Sequence, residues 1–192
     1  MVHGSTAILT ATSRMARCRS SSSARRQSVA AGWELFKREL HIHHTAEDEI
    51  IWPALRPRLA HSPTALSVLD AMEAEHELID PLLASVDAAF ARQEPAADVI
   101  DALTSALTGH LAHEERDGLP LIGVALTAAE WRGVGRKMAG KNGLSAGSEM
   151  FAWILDGADR DHSKATLAQL PPPLRLLYRA RWKPRFDKTP RW

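Results

Sequence analysis

The stretch HIHHTAEDEIIWPAL at residues 41–55 places three histidines and three acids within nine residues, immediately ahead of an apolar run. Imidazoles and carboxylates are the groups that hard and borderline cations bind. The combination returns as His76-Glu-Leu-Ile-Asp80 and as His110-Leu-Ala-His-Glu114. Nine histidines and 23 acids among 192 residues would give about one His-x-x-x-Asp/Glu pair by chance. Five occur: His43–Glu47, His44–Asp48, His76–Asp80, His110–Glu114 and His113–Asp117. Residues four apart share one helix face, so each pair can point at one object.

Three of these pairs stand where a helical apolar stripe calls for leucines. Phe36 and Leu40 lead by helical steps to His43 and Glu47, after which Ile50 and Ile51 resume the stripe. Leu69 and Met72 lead to His76 and Asp80, and Ile100, Leu103 and Leu107 lead to His110 and Glu114. The three histidines are 33 and 34 residues apart, a helix plus a turn, so neighbouring helices should run antiparallel. Buried unpaired carboxylates cost several kcal/mol each, against a net stability of only ~5–15 kcal/mol for a domain. Arg56, Arg58, Arg92 and Arg116 are the only bases in 41–120, so a bound cation is the expected neutraliser. The competing reading is a polar helix face of solvated pairs, which is the better account of the isolated His61 and His162.

The single cysteine, Cys18, excludes iron–sulfur clusters and cysteine-type zinc sites. Six imidazole and carboxylate ligands exceed what one zinc takes and suit iron or manganese. Di-iron carboxylate bundles use inward-facing Glu and Glu-x-x-His ligands, so the His-then-acid order here is a different pattern.

The elements that must position these groups are helical throughout. Ala, Leu, Arg and Glu dominate, and no strand-like alternation occurs. One helix is expected from about Trp33 to Ala60, broken by His61-Ser62-Pro63, where Ser62 caps and Pro63 starts the next. The second runs to about Ala91, the third from beyond Gln93-Glu94-Pro95 to about Leu119. Thr127-Ala-Ala-Glu130 opens a further helix near Trp131 as a capping box. Lys141-Asn142-Gly143 reads as a loop, 148–156 as a short helix, and Pro171-Pro172-Pro173 as a breaker ahead of a basic tail. Residues 1–32 hold no acid and five arginines, with serines at 20–23, a composition shared with transit peptides. They are expected to be a weakly structured segment or a poor first helix.

With 45% hydrophobic residues and no apolar run near ~18–20 residues, the chain should form a globular domain that does not span a membrane. One cysteine is compatible with a reducing, cytoplasmic setting. Net charge is +1, but residues 41–120 hold 15 acids against 4 bases, between basic ends. From Arg175 to Trp192 seven Lys/Arg interleave with four aromatics, as in a nucleic-acid or acidic-surface arm. The expectation is instead that these rings pack on the helices and no nucleic acid is bound. A metal-free helical scaffold is the remaining alternative.

The three motifs, with Pro53 ten residues after His43 and Pro120 ten after His110, resemble the haemerythrin-like HHE cation-binding domain from about residue 33 to 122. The stretch from Phe151 to Arg179 is similar to the tail of some bacterial members. The resemblance implies an all-α, up-down four-helix bundle, here with additional short C-terminal helices, holding two irons per chain that meet O2, peroxide or NO, or sense iron. It implies His43, His76 and His110 as terminal ligands, Glu47 and Glu114 as bridges, and Asp80 as a further carboxylate. In that family a first-helix histidine lies about 40 residues before the His43 position; His3 has this spacing. Asp80 stands where oxygen-carrying members have a second histidine, which would favour ferric iron and oxidative turnover over reversible O2 carriage. His113 is an additional candidate ligand, and Glu115 an alternative to Glu114.

Overall fold

In a computed structural model, residue 11, residues 23–168 and residues 170–191 are described. Every element among them is helical and none is a strand. Helix α1 (Ser23–Ala46) continues through a π-helical turn (Glu47–Ile51) into the short α2 (Trp52–Leu55). Helix α3 (Pro63–Ala91) is followed by α4 (Ala97–His113), a second π turn (Glu114–Gly118) and α5 (Leu119–Ala125). Then come α6 (Ala128–Ile154), α7 (Arg160–Ala168), α8 (Pro172–Leu177), a third π turn (Tyr178–Trp182) and α9 (Lys183–Asp187).

The expected punctuation is present. Ser62 accepts the Ala65 N–H at 3.3 Å with Pro63 next to it, and Thr127 and Glu130 close the capping box. Gln93 turns the chain after α3 with φ 55°, a left-handed helix stop. Gly143, in the expected loop, breaks α6 with φ 74°, a value suited to glycine.

Residues 23–32 form the first turns of α1, with Val29 and Gly32 buried and most of the others exposed. Ala24, Ala30 and Ala31 are strong helix formers. Ala11 is buried in the core that holds Trp33 and Phe36, while His3 lies outside the described residues. The tail is also helical: Pro172 occupies the first turn of α8, where a missing N–H costs nothing, instead of acting only as a breaker. Tyr178 and Phe186 are buried and Trp182 packs beside them, while Arg179, Arg181 and Arg185 are exposed.

Each π turn stands six residues ahead of a proline: Glu47 before Pro53, Glu114 before Pro120 and Tyr178 before Pro184. The N–H groups of Trp52, Leu119 and Lys183 bond five residues back, to the carbonyls of Glu47, Glu114 and Tyr178. A proline donates no N–H and crowds the carbonyl four residues earlier, and the wider turn relieves that contact. Pro81 sits within α3 without such a turn, so proline accompanies the feature without dictating it.

The apolar interior is divided in two. One core holds Trp33, Phe36, Leu40, Ile79, Val86, Ile100, Leu103 and Leu107, closed by Trp153, Tyr178 and Phe186 from the C-terminal helices. The other holds Ile51, Trp52, Leu55, Leu69, Met72, Ile122 and Val134. A buried Leu, Phe or Trp side chain contributes on the order of 1.5–3 kcal/mol, so both cores are substantial. Along α1, α3 and α4 the passage from one core to the other crosses the histidines and glutamates. The polar groups therefore form a layer between two apolar blocks.

Candidate metal centre

That layer is delivered by five pieces of backbone. The last turn of α1 supplies His43 and His44, and the first π turn Glu47 and Asp48. Helix α3 supplies Glu75 and His76. Helix α4 supplies His110 and His113, and its π turn begins at Glu114. Both buried glutamates of the layer, Glu47 and Glu114, thus open a π turn, where the wider coil changes the angular step to the next apolar residue.

Two groups of donors result. Ligand atoms of His44, His76 and His110 all lie within 4.8 Å of one another, as do those of His43, Glu47 and Glu114. Glu47 joins the groups: its Oε2 is 3.4 Å from His76 Nε2 and its Oε1 is 3.6 Å from His43 Nε2. Glu114 Oε2 lies 3.9 Å from His43 Nε2. The rings of His44 and His76 stack with centroids 4.0 Å apart and planes 10° apart, and His110 meets His76 edge-on at 4.7 Å. Glu47 is 0% exposed and Glu114 1%.

The donor atoms lack hydrogen-bond partners. Among the described residues nine buried side-chain N or O atoms have none, and seven belong here: Nε2 of His43, His44, His76 and His110, both oxygens of Glu47, and Oε1 of Glu114. Leaving one buried polar atom unsatisfied costs about 1–3 kcal/mol, so seven converging on one layer are not a stability device. Four imidazole nitrogens and two carboxylates form a donor set that fits divalent or trivalent transition-metal cations.

Outward-facing carboxylates orient two of the rings. His76 Nδ1 donates to Asp48 at 2.9 Å and His110 Nδ1 to Glu75 at 2.9 Å. A carboxylate only accepts, so each Nδ1 carries the proton and each Nε2 presents its lone pair inward.

The electrostatics are those of a site built for positive charge. Burial raises the Glu47 carboxyl, but His43 and His76 outweigh it and hold the group below its ordinary value. Burial and the neighbouring Glu47 charge push Glu114 up to about 8. Burial, then His76, His43 and His110, drive His44 far below the usual imidazole range. Burial lowers His76, but Glu47 and Asp48 more than restore it, and it ends raised.

These shifts set a pH dependence for the metal-free chain. Glu114 holds a proton in the folded state that the unfolded chain sheds above its ordinary value of 4.5, so its contribution falls as pH rises toward 8. The raised His76 acts in the same direction above 6.5. The depressed His44 acts oppositely, but only below 6.5, where the unfolded imidazole takes up a proton. Thermal melts of chelator-treated protein should therefore show a lower midpoint at pH 8 than at pH 6.5. An unchanged or higher midpoint at pH 8 would contradict the placement of Glu114.

Of the residues expected from sequence, His43, Glu47, His76, His110 and Glu114 come together. Asp80 does not: it is exposed and stands in neither group. The buried arc of α3 runs through Leu69, Met72, His76, Ile79 and Val86, and Asp80 falls on its outer flank. Glu115 is exposed, which leaves Glu114 as the inward acid. His113 is half-buried and also in neither group. His44 was missed as a donor; it supplies the third imidazole beside His76 and His110, from α1. Its sequence signal was the His44–Asp48 pair and its place four residues after Leu40. Asp48 and Glu75 were missed as orienting groups, because each acts on a histidine of another helix.

Among curated proteins and among solved structures, none matches the chain. A family model, Hemerythrin HHE cation binding domain, matches residues 7–122. The match covers more than half of the chain, reaches upstream of Trp33 and contains both donor groups. With its converging histidines and glutamates in the same span, the chain belongs to the haemerythrin HHE cation-binding family.

Proposed function

We propose that the two donor groups hold two iron ions per chain, one among His44, His76 and His110 and one beside His43, with Glu47 and Glu114 between them. The continuous α1–α2 rod, α3 and the continuous α4–α5 rod, with a fourth wall from another helix, would form the up-down four-helix arrangement around them. The observation that carries this reading is the set of seven unpaired buried donor atoms in two groups joined through Glu47. Bound iron would supply a redox-active position for a small ligand such as O2, peroxide or NO. The protein's own groups orient the imidazoles, hold two carboxylates in a dry layer, and release the Glu114 proton when a cation arrives. Apolar blocks on both sides exclude bulk water.

The preference for oxidative turnover over reversible O2 carriage rested on an anionic ligand at Asp80. With Asp80 at the surface and His44 inside, that ground is gone, and the reading commits to small-ligand chemistry or iron sensing without choosing between them. The absence, among the described residues, of a helix long and apolar enough to cross a membrane fits a protein working in solution, and we propose the cytoplasm.

Metal analysis of protein purified from iron-replete cells tests the reading. About two irons per chain are expected, because the donors converge in two groups joined through Glu47 and not on a single point. Zinc alone at one per chain, or no metal, would overturn it.

A further inference from the structure

On the outer side of the layer, one carboxylate holds two histidines. Glu75 Oε2 accepts from His110 Nδ1 at 2.9 Å, and Glu75 Oε1 accepts from His113 Nδ1 at 2.7 Å. His110 and His113 are three residues apart on α4, so both face the same side, and Glu75 reaches them from α3. The other ring nitrogen of His113, Nε2, lies 3.4 Å from Asp117 Oδ2, and Arg116 bonds Asp117 at 2.6 Å. Both nitrogens of His113 therefore face carboxylates on the outer side of the layer, and neither is turned toward the two donor groups.

A glutamate has three side-chain torsions, and a histidine ring turns about a broad terminal torsion. One contact would leave Glu75 free to swing, and the His110 ring free with it. The second contact removes that freedom. We propose that Glu75 and His113 form an external brace between α3 and α4 that fixes the His110 ring for a cation, with His113 a positioning residue instead of a ligand. The proposal rests on the reading of His110 as a metal donor. It predicts that His113 acts on metal affinity only through Glu75.

The test uses the full chain, stripped of metal and titrated with Zn2+ against a chromophoric chelator. The proteins are the unchanged chain, Glu75→Ala, Glu75→Gln, His113→Ala, and the Glu75→Ala/His113→Ala double variant. Glu75→Ala should weaken Zn2+ binding roughly 10–100-fold, the usual effect of losing a ligand's orienting partner. Glu75→Gln keeps an acceptor for His110 and should recover part of the loss. His113→Ala should weaken binding several-fold while leaving the number of ions per chain unchanged. The double variant should bind no worse than Glu75→Ala alone, the non-additivity of groups acting in series. The Co2+ absorption bands should broaden in Glu75→Ala and narrow again in Glu75→Gln. A loss of one ion per chain in His113→Ala would make His113 a ligand and overturn the brace. Multiplying losses in the double variant would also overturn it. If the unchanged chain takes up no Zn2+ or Co2+, the reading of the centre itself fails, and the brace with it.

Discussion

Replacing Glu47 by glutamine is expected to empty both donor groups together. Among the described residues, Glu47 is the only side chain whose two oxygens approach histidines of different groups, His43 on one side and His76 on the other. The substitution keeps volume and removes the charge. Loss of an orienting partner alone costs a metal site roughly 10–100-fold, and loss of a shared anionic ligand should cost at least ~100-fold at each position. Metal retained after dialysis should fall to near zero, whereas Asp80→Asn, made at an exposed position, should retain the full complement. Because His43 and His76 hold the Glu47 carboxylate below its ordinary value, the metal-free variant should melt slightly lower than the metal-free parent at neutral pH. A Glu47→Gln protein that keeps both ions would remove Glu47 from the centre.

Metal loading itself carries the second large effect. A ligand that binds only the folded state, at a free concentration 1,000 times its Kd, stabilises by about 4 kcal/mol. For a chain of this size each kcal/mol moves the midpoint by roughly 2–4 °C, so the loaded protein should melt about 8–16 °C above the stripped one. The same layer that destabilises the metal-free state, through orphaned donors and a proton forced onto Glu114, becomes a cross-link when a cation satisfies it. Coincident melts of the loaded and stripped proteins would place any bound metal elsewhere.

Much of this centre was legible because ligands must interrupt the face that buries leucine. His43, Glu47, His76, His110 and Glu114 each broke a stripe and each lies in the layer. The step from Leu40 was ambiguous: three residues on gives His43, four gives His44, and both positions turn inward. A stripe defined by spacing cannot separate them. Asp80 failed for the complementary reason, since a position four residues after an inward histidine points inward only if the arc of the helix continues that way. Asp48 and Glu75 were beyond reach, because their partners lie 28 and 35 residues away on other helices. The prolines ten residues after His43 and His110 were visible, but not the π turns they accompany.

The polar layer between the two apolar blocks also bears on cooperativity. Side chains in a continuous core transmit strain and melt together, whereas here two blocks meet across a seam of charge and unpaired donors. Stripped of its cation, such a chain holds two semi-independent packing units. The smaller, around Ile51, Trp52, Leu55, Met72 and Ile122, is free to open while the larger stays closed. A cation held from α1, α3 and α4 spans the seam, so that opening one block means surrendering ligands attached to the other. Metal supply would then decide how tightly the unfolding of the two blocks is coupled.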